Sequence, residues 1–471
     1  MDNKYKKIED FSEQEIASAQ KKAKEDLYYP NYHIAPITGL LNDPNGLIYV
    51  NGLHYIHYQV HPVDAIHGLK YWALCTTKDF LNYQYWGLSS KPEIKEESHG
   101  VFSGSAFLEN DQIKILYTGN HRDDENVRHQ TQIIGTLKDN KVIDKAVLIE
   151  HDFDLYDEHI RDPKIIEIKN KEYIYFGVQM KGSKVGSIAF YDYETKKNVC
   201  NIKYDFENFG YMWECPNIEK VGNKYFVVFC PQGAKSNDKI KFFNYDSTVY
   251  LFADDIDLEK QEFINPTYPQ LLDYGHDFYA PQNYYVNKEL ISIGWFGTFA
   301  IVYPSDKNSW QGMLTIPKKV TLENNVIKQY PYEVFVNNIL QDHKTINENK
   351  FLVKKNFRLK FRTNKNLDLK IGNGKDYIQL IINDEKIIFD RANQEEKVIS
   401  DLEGIRYVER KHKDQEVELW VDNSSIEIFV NNYESVFSSR FFIKEVCQIE
   451  FDAQIDFDYW DIKKINMKIC D

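Results

Sequence analysis

Long apolar runs, clustered cysteines and surplus positive charge are all missing from this sequence. No run of about 18 apolar residues occurs, so no membrane-spanning helix is expected. The opening residues, Met1-Asp2-Asn3-Lys4-Tyr5-Lys6-Lys7-Ile8-Glu9-Asp10, hold no apolar stretch of the kind a secretory signal needs. The six cysteines (75, 200, 215, 230, 447, 470) form no CxxC pair, which favours free thiols over a disulfide framework or zinc site. These features together predict a cytoplasmic protein. Lys and Arg number 58 against 72 Asp and Glu, a net charge of −14, which argues against nucleic acid or an acidic membrane as partner. A small anionic substrate is compatible with that charge, because a few local cations suffice to hold it.

Aromatic residues are plentiful, at 15% of the chain with 33 Tyr and 29 Phe. Rings pack well on pleated sheets and also stack on the apolar faces of sugars, although most serve the core. A length of 471 residues predicts two domains. Residues 11–27 read as a short helix, with Ser12 and Glu15 at capping-box spacing and Ile16, Ala19 and Ala23 as a weak stripe.

Beyond the helix the chain repeats an arrangement more than a set of residues. Each unit opens on a polar motif, enters a short strand, turns, and returns through a more apolar strand. The openings are Asn42-Asp43-Pro44-Asn45-Gly46, Phe102-Ser103-Gly104-Ser105, Arg161-Asp162-Pro163, Glu214-Cys215-Pro216 and Asp277-Phe278-Tyr279-Ala280-Pro281-Gln282. The turns fall at Asn51-Gly52, Asn110-Asp111, near Asn170, at Gly222-Asn223 and at Asn287-Lys288. Taking Asp43, Ser103, Asp162, Glu214 and Asp277 as anchors, the spacings are 60, 59, 52 and 63 residues, room for a four-stranded sheet each. Radial packing of five such units makes a β-propeller and brings all five motifs to one mouth of its channel. A two-sheet sandwich would not gather them so naturally.

From about residue 345 the motifs stop and plain alternation begins. Val417, Leu419 and Val421 alternate with Glu418 and Trp420, and Ile426, Ile428 and Val430 with Glu427 and Phe429. This predicts half-buried antiparallel strands of a β-sandwich. The expected architecture is all-β: an N-terminal helical extension (1–29), a five-bladed propeller (30–336) and a C-terminal sandwich (345–471), joined by the Lys/Asn-rich stretch 337–350.

Asp43, Asp162 and Glu214 are the carboxylates that the repeat brings together. A glycosidic bond needs one carboxyl group to protonate the leaving oxygen and another to attack the anomeric carbon or activate water. Singly, Asn-Asp-Pro-Asn-Gly is a good turn sequence and Arg161-Asp162 an ordinary ion pair. Glu214 between Trp213 and Cys215 must be paired or have a raised pKa. Three such groups at corresponding places in the repeat point to catalysis.

The segments His33–Pro62, Phe102-Ser103-Gly104-Ser105, Tyr117-Thr118-Gly119-Asn120, Arg161-Asp162-Pro163, Trp213-Glu214-Cys215-Pro216 and Asp273–Gln282 resemble glycoside hydrolase family 32. Val421-Asp422-Asn423-Ser424-Ser425-Ile426-Glu427-Ile428-Phe429 is similar to that family's sandwich signature. The resemblance implies a retaining β-fructofuranosidase with Asp43 as nucleophile, Glu214 as acid/base and Asp162 as transition-state stabiliser. It implies a sugar pocket lined by Asn42, Gln59, Phe102, Ser103, Arg161 and Trp295, with Arg161 biasing Asp162 toward the charged form, and neither metal nor cofactor.

The chain departs from the common family pattern at Leu40-Leu41, where Trp-Met is usual, and at Trp72-Ala73-Leu74-Cys75, where Trp-Gly-His-Ala is usual. His67-Gly68-Leu69-Lys70 resembles the intracellular sucrose-6-phosphate branch. Leu40, Leu41, His67 and Lys70 are therefore expected at the substrate, Lys70 reading either as a cation for the sugar phosphate or as a solvated lysine. Competing readings are an invertase or fructooligosaccharide hydrolase without phosphate preference, a furanosidase for arabinan or xylan, and a non-catalytic sugar-binding propeller. The expected partner is a small sugar, with no nucleic acid or membrane, and with monomer or homodimer left open.

Overall fold

The computed structural model describes residues 3–204, 206–400 and 402–470. The helix forms at Glu13–Glu25, with the Ser12–Glu15 capping box made and Ala19 and Ala23 buried. Nearly everything else is strand. Four four-stranded antiparallel sheets lead with Val101–Glu109, Tyr156–Ile168, Phe209–Val221 and Tyr279–Val286. A six-stranded sheet is built on Gly39–Val50. Each of these five leading strands contacts the leading strands of two other sheets, giving a propeller-like arrangement. Gly177 allows one of these approaches, since a Cβ there would lie 1.9 Å from the Trp213 carbonyl of the next sheet.

The hairpins follow the turn chemistry. Both central residues have positive φ at Asn51-Gly52 (51° and 80°), Asn110-Asp111 (50° and 61°) and Asn287-Lys288 (49° and 73°). At Gly222-Asn223 only the glycine does, at 63°.

Each leading strand also breaks register where its polar motif lies. Two residues stand opposite one at Asn42-Asp43, Phe102-Ser103, Asp162-Pro163, Cys215-Pro216 and Ala280-Pro281. These are β-bulges, which bend a strand and re-aim its side chains. Proline has no N–H to give a ladder, so a bulge accommodates it. Asp162, Cys215 and Ala280, each just before a proline, adopt φ of 66°, 47° and 45°.

The C-terminal region is sandwich-like. Strands Phe357–Thr363, Gln415–Asp422, Ser425–Val430 and Ser435–Arg440 form one layer, and Leu367–Gly372, Tyr377–Ile382, Lys386–Asp390 and Ile405–Glu409 the other. Strand Gln448–Ile462 pairs with both layers. Leu359, Leu369, Leu380, Leu419 and Ile428 fill the space between them.

Three expectations need correction. The stretch 337–350 is more than a connection: the helix Glu333–Ile339 leads straight into strand Leu340–Leu352, which pairs along Gln448–Ile462. The last strand, Asn466–Ile469, leaves the sandwich and pairs parallel with Asn82–Ser90 of the six-stranded sheet. Ser425–Val430 is buried on both faces, not half-buried. Its polar face is covered by the propeller-like region, with Trp420 and Phe429 packed among Tyr32 and Phe335, and Glu427 taking the Ile316 N–H at 2.8 Å.

Buried charges fasten this interface. His33 bridges Asp422 (2.8 Å) and Glu427 (3.2 Å), and Lys318 also reaches Glu427 at 3.3 Å. Burial opposes a charge on His33, but hydrogen bonds and attraction from both carboxylates prevail and raise it above 6.5. Burial also opposes the carboxylates, yet Asp422 is held below 3.8 chiefly by His33, and Glu427 below 4.5 chiefly by Lys318. A raised histidine contributes fully below its unfolded pKa and loses the contribution as pH rises through its folded one. The depressed carboxylates contribute fully above their unfolded values and lose it as pH falls through their folded ones. The interface is therefore strongest between pH 4.5 and 6.5. Urea midpoints of the wild type should fall from about pH 5.5 to about pH 8.5, while His33→Gln shows a much smaller fall. Equal falls in the two proteins would remove His33 from this role.

Candidate active site

The bulges turn the motifs toward one pocket. Arg161, Glu214 and Tyr279 are the last paired residues before the bulges of three successive sheets. Their side chains join in one arc. Arg161 donates from Nε (3.0 Å) and Nη2 (2.9 Å) to Glu214 Oε1, and the Tyr279 hydroxyl donates to Glu214 Oε2 at 2.6 Å. Beside this arc, Asp43 Oδ2 accepts from Ser103 Oγ at 2.5 Å and Oδ1 from Asn42 Nδ2 at 3.1 Å. Asp162 Oδ2 accepts the Cys215 N–H at 2.8 Å, and Cys215 Sγ lies 3.9 Å from Asp43 Oδ2. Cys215 thus links two of the carboxylates and adjoins the third in sequence. All three are buried: Asp43 is 9%, Asp162 5% and Glu214 8% exposed.

Crowding sets the electrostatics. Burial pushes Asp43 above 3.8, with Glu214 adding to the push, while Ser103 and Asn42 pull the other way. Asp162 is pushed up to about 7, first by burial and then by Glu214 and Asp43. Arg161 does draw Asp162 toward the charged form, as expected, but burial outweighs it. Arg161 itself resists burial because Glu214 and Asp162 hold its charge. Glu214 meets the first of its two expectations, since it is paired on both oxygens.

Other predicted residues fall into two groups. Gln59 takes the Asn42 amide and donates to the Val101 carbonyl at 3.2 Å, and Phe102 is half-buried near Ser103. His67 lies against Phe299, with centroids 4.8 Å apart. Leu40, Leu41 and Trp295, by contrast, have no exposed surface. They were expected at the substrate; Leu40 lies on the strand that pairs with Trp310-Gln311, and Trp295 packs against His67, Phe299 and Gly312. Lys70 departs from one of its two readings. Burial removes the solvated reading, since it is 6% exposed, with Nζ donating to Asn42 Oδ1 at 2.7 Å.

Sequence reasoning missed Tyr279 and the supports of Arg161, which are Gln130 (3.2 Å), Gln232 (3.2 Å) and His159 (2.7 Å). Aligning the last three motifs on their prolines would have found Tyr279, two places before Pro281 as Glu214 is before Pro216. Asp277, taken as the fifth anchor, lies instead at the domain interface. It accepts from Tyr303 (2.6 Å), Arg391 (2.5 Å) and the Arg440 N–H (2.7 Å).

Beyond the pocket, Arg122 and Arg128 face each other across a hairpin. Arg122 donates to the Asn126 carbonyl, while Arg128 has a distant carboxylate in Glu158 (3.9 Å) and a buried Nε without a partner. A cavity of 1110 Å³ opens alongside, lined by His159, Tyr156, Phe209, Tyr211, Lys181 and Lys235. Among the described residues no helix is long and apolar enough to cross a membrane. All six cysteines are free.

Residues 33–331 match the glycosyl hydrolases family 32 N-terminal domain and residues 322–461 its C-terminal domain. A sucrose-6-phosphate hydrolase of Vibrio alginolyticus is 34% identical over 95% of this chain and 93% of its own length. One from Staphylococcus xylosus is 32% identical over 94% and 93%. The structure of a sucrose-6-phosphate hydrolase from Lactobacillus gasseri superposes with a TM-score of 0.93 at 28% identity, covering 98% of this chain and 99% of that one. Matched continuously over residues 33–461, the chain belongs to glycosyl hydrolase family 32.

Proposed function

We propose that this protein is a retaining β-fructofuranosidase that hydrolyses sucrose 6-phosphate to glucose 6-phosphate and fructose, and sucrose as well. The observation that carries the reading is the meeting of Asp43, Asp162 and Glu214 through Cys215 and the Arg161 fork. Asp43 attacks the anomeric carbon of the fructosyl unit, Glu214 protonates the leaving oxygen, and the covalent intermediate is then hydrolysed with Glu214 as base. Arg161 and Tyr279 hold the Glu214 carboxyl plane fixed while the leaving group departs. Asp162 grips fructose hydroxyls. The ring of touching leading strands supports a five-bladed propeller, over about residues 30–336, followed by the sandwich. Free thiols and a phosphorylated substrate support a cytoplasmic setting.

Asp43→Ala should abolish turnover of every substrate. Glu214→Ala should spare a fructoside with a good leaving group far more than sucrose, because such a group needs little protonation. Steady-state kinetics on both substrates check this, and equal losses would remove Glu214 from the acid/base role.

The phosphate sits on the glucosyl unit, beyond the cleaved bond, so its site must be at the mouth. The reading gives the phosphate to Arg122 and Arg128, like charges held opposite each other with Glu158 no nearer than 3.9 Å to Arg128. A charge-assisted contact is worth about 1.5–3 kcal/mol, so Arg128→Ala should lower kcat/KM for sucrose 6-phosphate roughly tenfold to a hundredfold and leave sucrose nearly unchanged. A wild type indifferent to the phosphate would make the protein an invertase. A preference that survives Arg122→Ala and Arg128→Ala would move the phosphate to the cavity lysines Lys181 and Lys235.

A further inference from the structure

Lys70 is out of place as an ordinary buried lysine. The other ammonium groups taken from water in this fold each hold a carboxylate: Lys318 with Glu427, Lys145 with Glu97 and Lys164 with Glu219. Among the described residues no carboxylate lies within ion-pair distance of Lys70. Its Nζ donates to Asn42 Oδ1 at 2.7 Å and lies 3.4 Å from His67 Nδ1. The backbone around it is closed on both sides. The Lys70 carbonyl takes the Val101 N–H at 2.9 Å, and Leu69 donates to the Lys4 carbonyl at 2.7 Å, which lays the N-terminal turn over the lysine. A buried charge with no counter-ion is costly to keep, so something other than stability retains it.

What it touches suggests the reason. An ammonium only donates, so the Asn42 atom that faces it must be the oxygen. The Asn42 amide N–H groups must then point the other way, and they do, toward Asp43 Oδ1 at 3.1 Å and toward Gln59 Oε1. Gln59, oriented by its bond to the Val101 carbonyl, favours the same orientation, and Lys70 fixes it from the other side. The relay Lys70→Asn42→Asp43 also carries positive potential to a carboxylate that has no direct ion-pair partner among the described residues, and hydrogen bonds in series strengthen one another.

We propose that Lys70 is a positioning residue for the nucleophile: through the Asn42 amide it keeps the Asp43 carboxylate ionised and aimed, and it takes no part in holding the sugar phosphate. This rests on the reading of Asp43 as nucleophile. The groups that face Lys70 are Asp43 and Asn42 on the leading strand, His61 and His67 on the segment before it, and Lys4 on the N-terminal turn. Burial draws the amine down to about 7, with Lys4 adding to the pull and Asp43 resisting it. Burial also holds His61 and His67 below the usual histidine range.

The test is a set of pH–rate profiles on sucrose and on sucrose 6-phosphate for wild type, Lys70→Met, Lys70→Gln and Asp43→Ala, with thermal midpoints for each. Methionine matches the lysine stem without the charge, and glutamine keeps a donor without the charge. Lys70→Met should lower kcat roughly tenfold to a hundredfold on both sugars with little change in KM. It should move the acid limb of kcat/KM upward by about one pH unit, with a thermal midpoint equal to or above wild type. Lys70→Gln should show the same shift of the acid limb with a smaller loss of kcat. Loss confined to the phosphorylated sugar would overturn the proposal and return Lys70 to the phosphate. So would an unmoved acid limb in both variants, or a fall in midpoint with normal kcat, which marks a merely structural lysine. Turnover by Asp43→Ala would defeat the reading of the nucleophile itself, whereas an inactive Asp43→Ala beside a wild-type-like Lys70→Met defeats only the role of Lys70.

Discussion

In every leading strand two residues stand opposite one, and the site depends on that mismatch. A regular strand alternates its side chains between the two faces of a sheet, so few of them would look along the channel. The bulge spends one residue out of register and turns its neighbours toward the mouth. Three of these positions hold a non-glycine residue at positive φ just before a proline, a conformation that costs on the order of 1–3 kcal/mol each. Packing between sheets over-determines it: Asp162 at its bulge is held by Thr118 and Cys215, which belong to two other sheets.

Once three carboxyl groups are gathered in a dry pocket, their mutual repulsion becomes the next problem. Two cations answer it in different ways. Arg161 makes a direct two-pronged contact with Glu214 and is steadied by Gln130, His159 and Gln232. Lys70 stands off, one amide away from Asp43. Asp162 has the attraction of Arg161 without a hydrogen bond to it, and burial pushes it up to about 7.

Much of this was legible in the residues, for physical reasons. Asn51-Gly52 announces a hairpin because few other pairs accept positive φ twice. Asp43, Asp162 and Glu214 were readable because their motifs pair a carboxylate with a nearby proline, and the bulge that accommodates the proline is what aims the acid. The environment of Lys70 was not readable. It is fixed by Asn42, 28 positions away, and by an N-terminal turn that no local pattern links to it. The Ser425–Val430 strand misled because alternation with Glu427 looks solvent-facing, whereas that glutamate is matched by Lys318 and His33 across the interface. The full burial of Leu40, Leu41 and Trp295 was not legible either, because a place in a motif fixes the backbone but not what packs over a side chain.

The central claim is that Asp43 forms a covalent bond to fructose and that Glu214 serves the two halves of the reaction in turn. The stereochemistry of a captured product tests it most directly. With sucrose as donor and methanol as acceptor, the first methyl fructofuranoside should carry the β configuration by NMR, because two displacements restore the starting geometry. The α product would mean a single displacement by an activated water or alcohol, with Asp43 as a base and not a nucleophile, and would contradict the account.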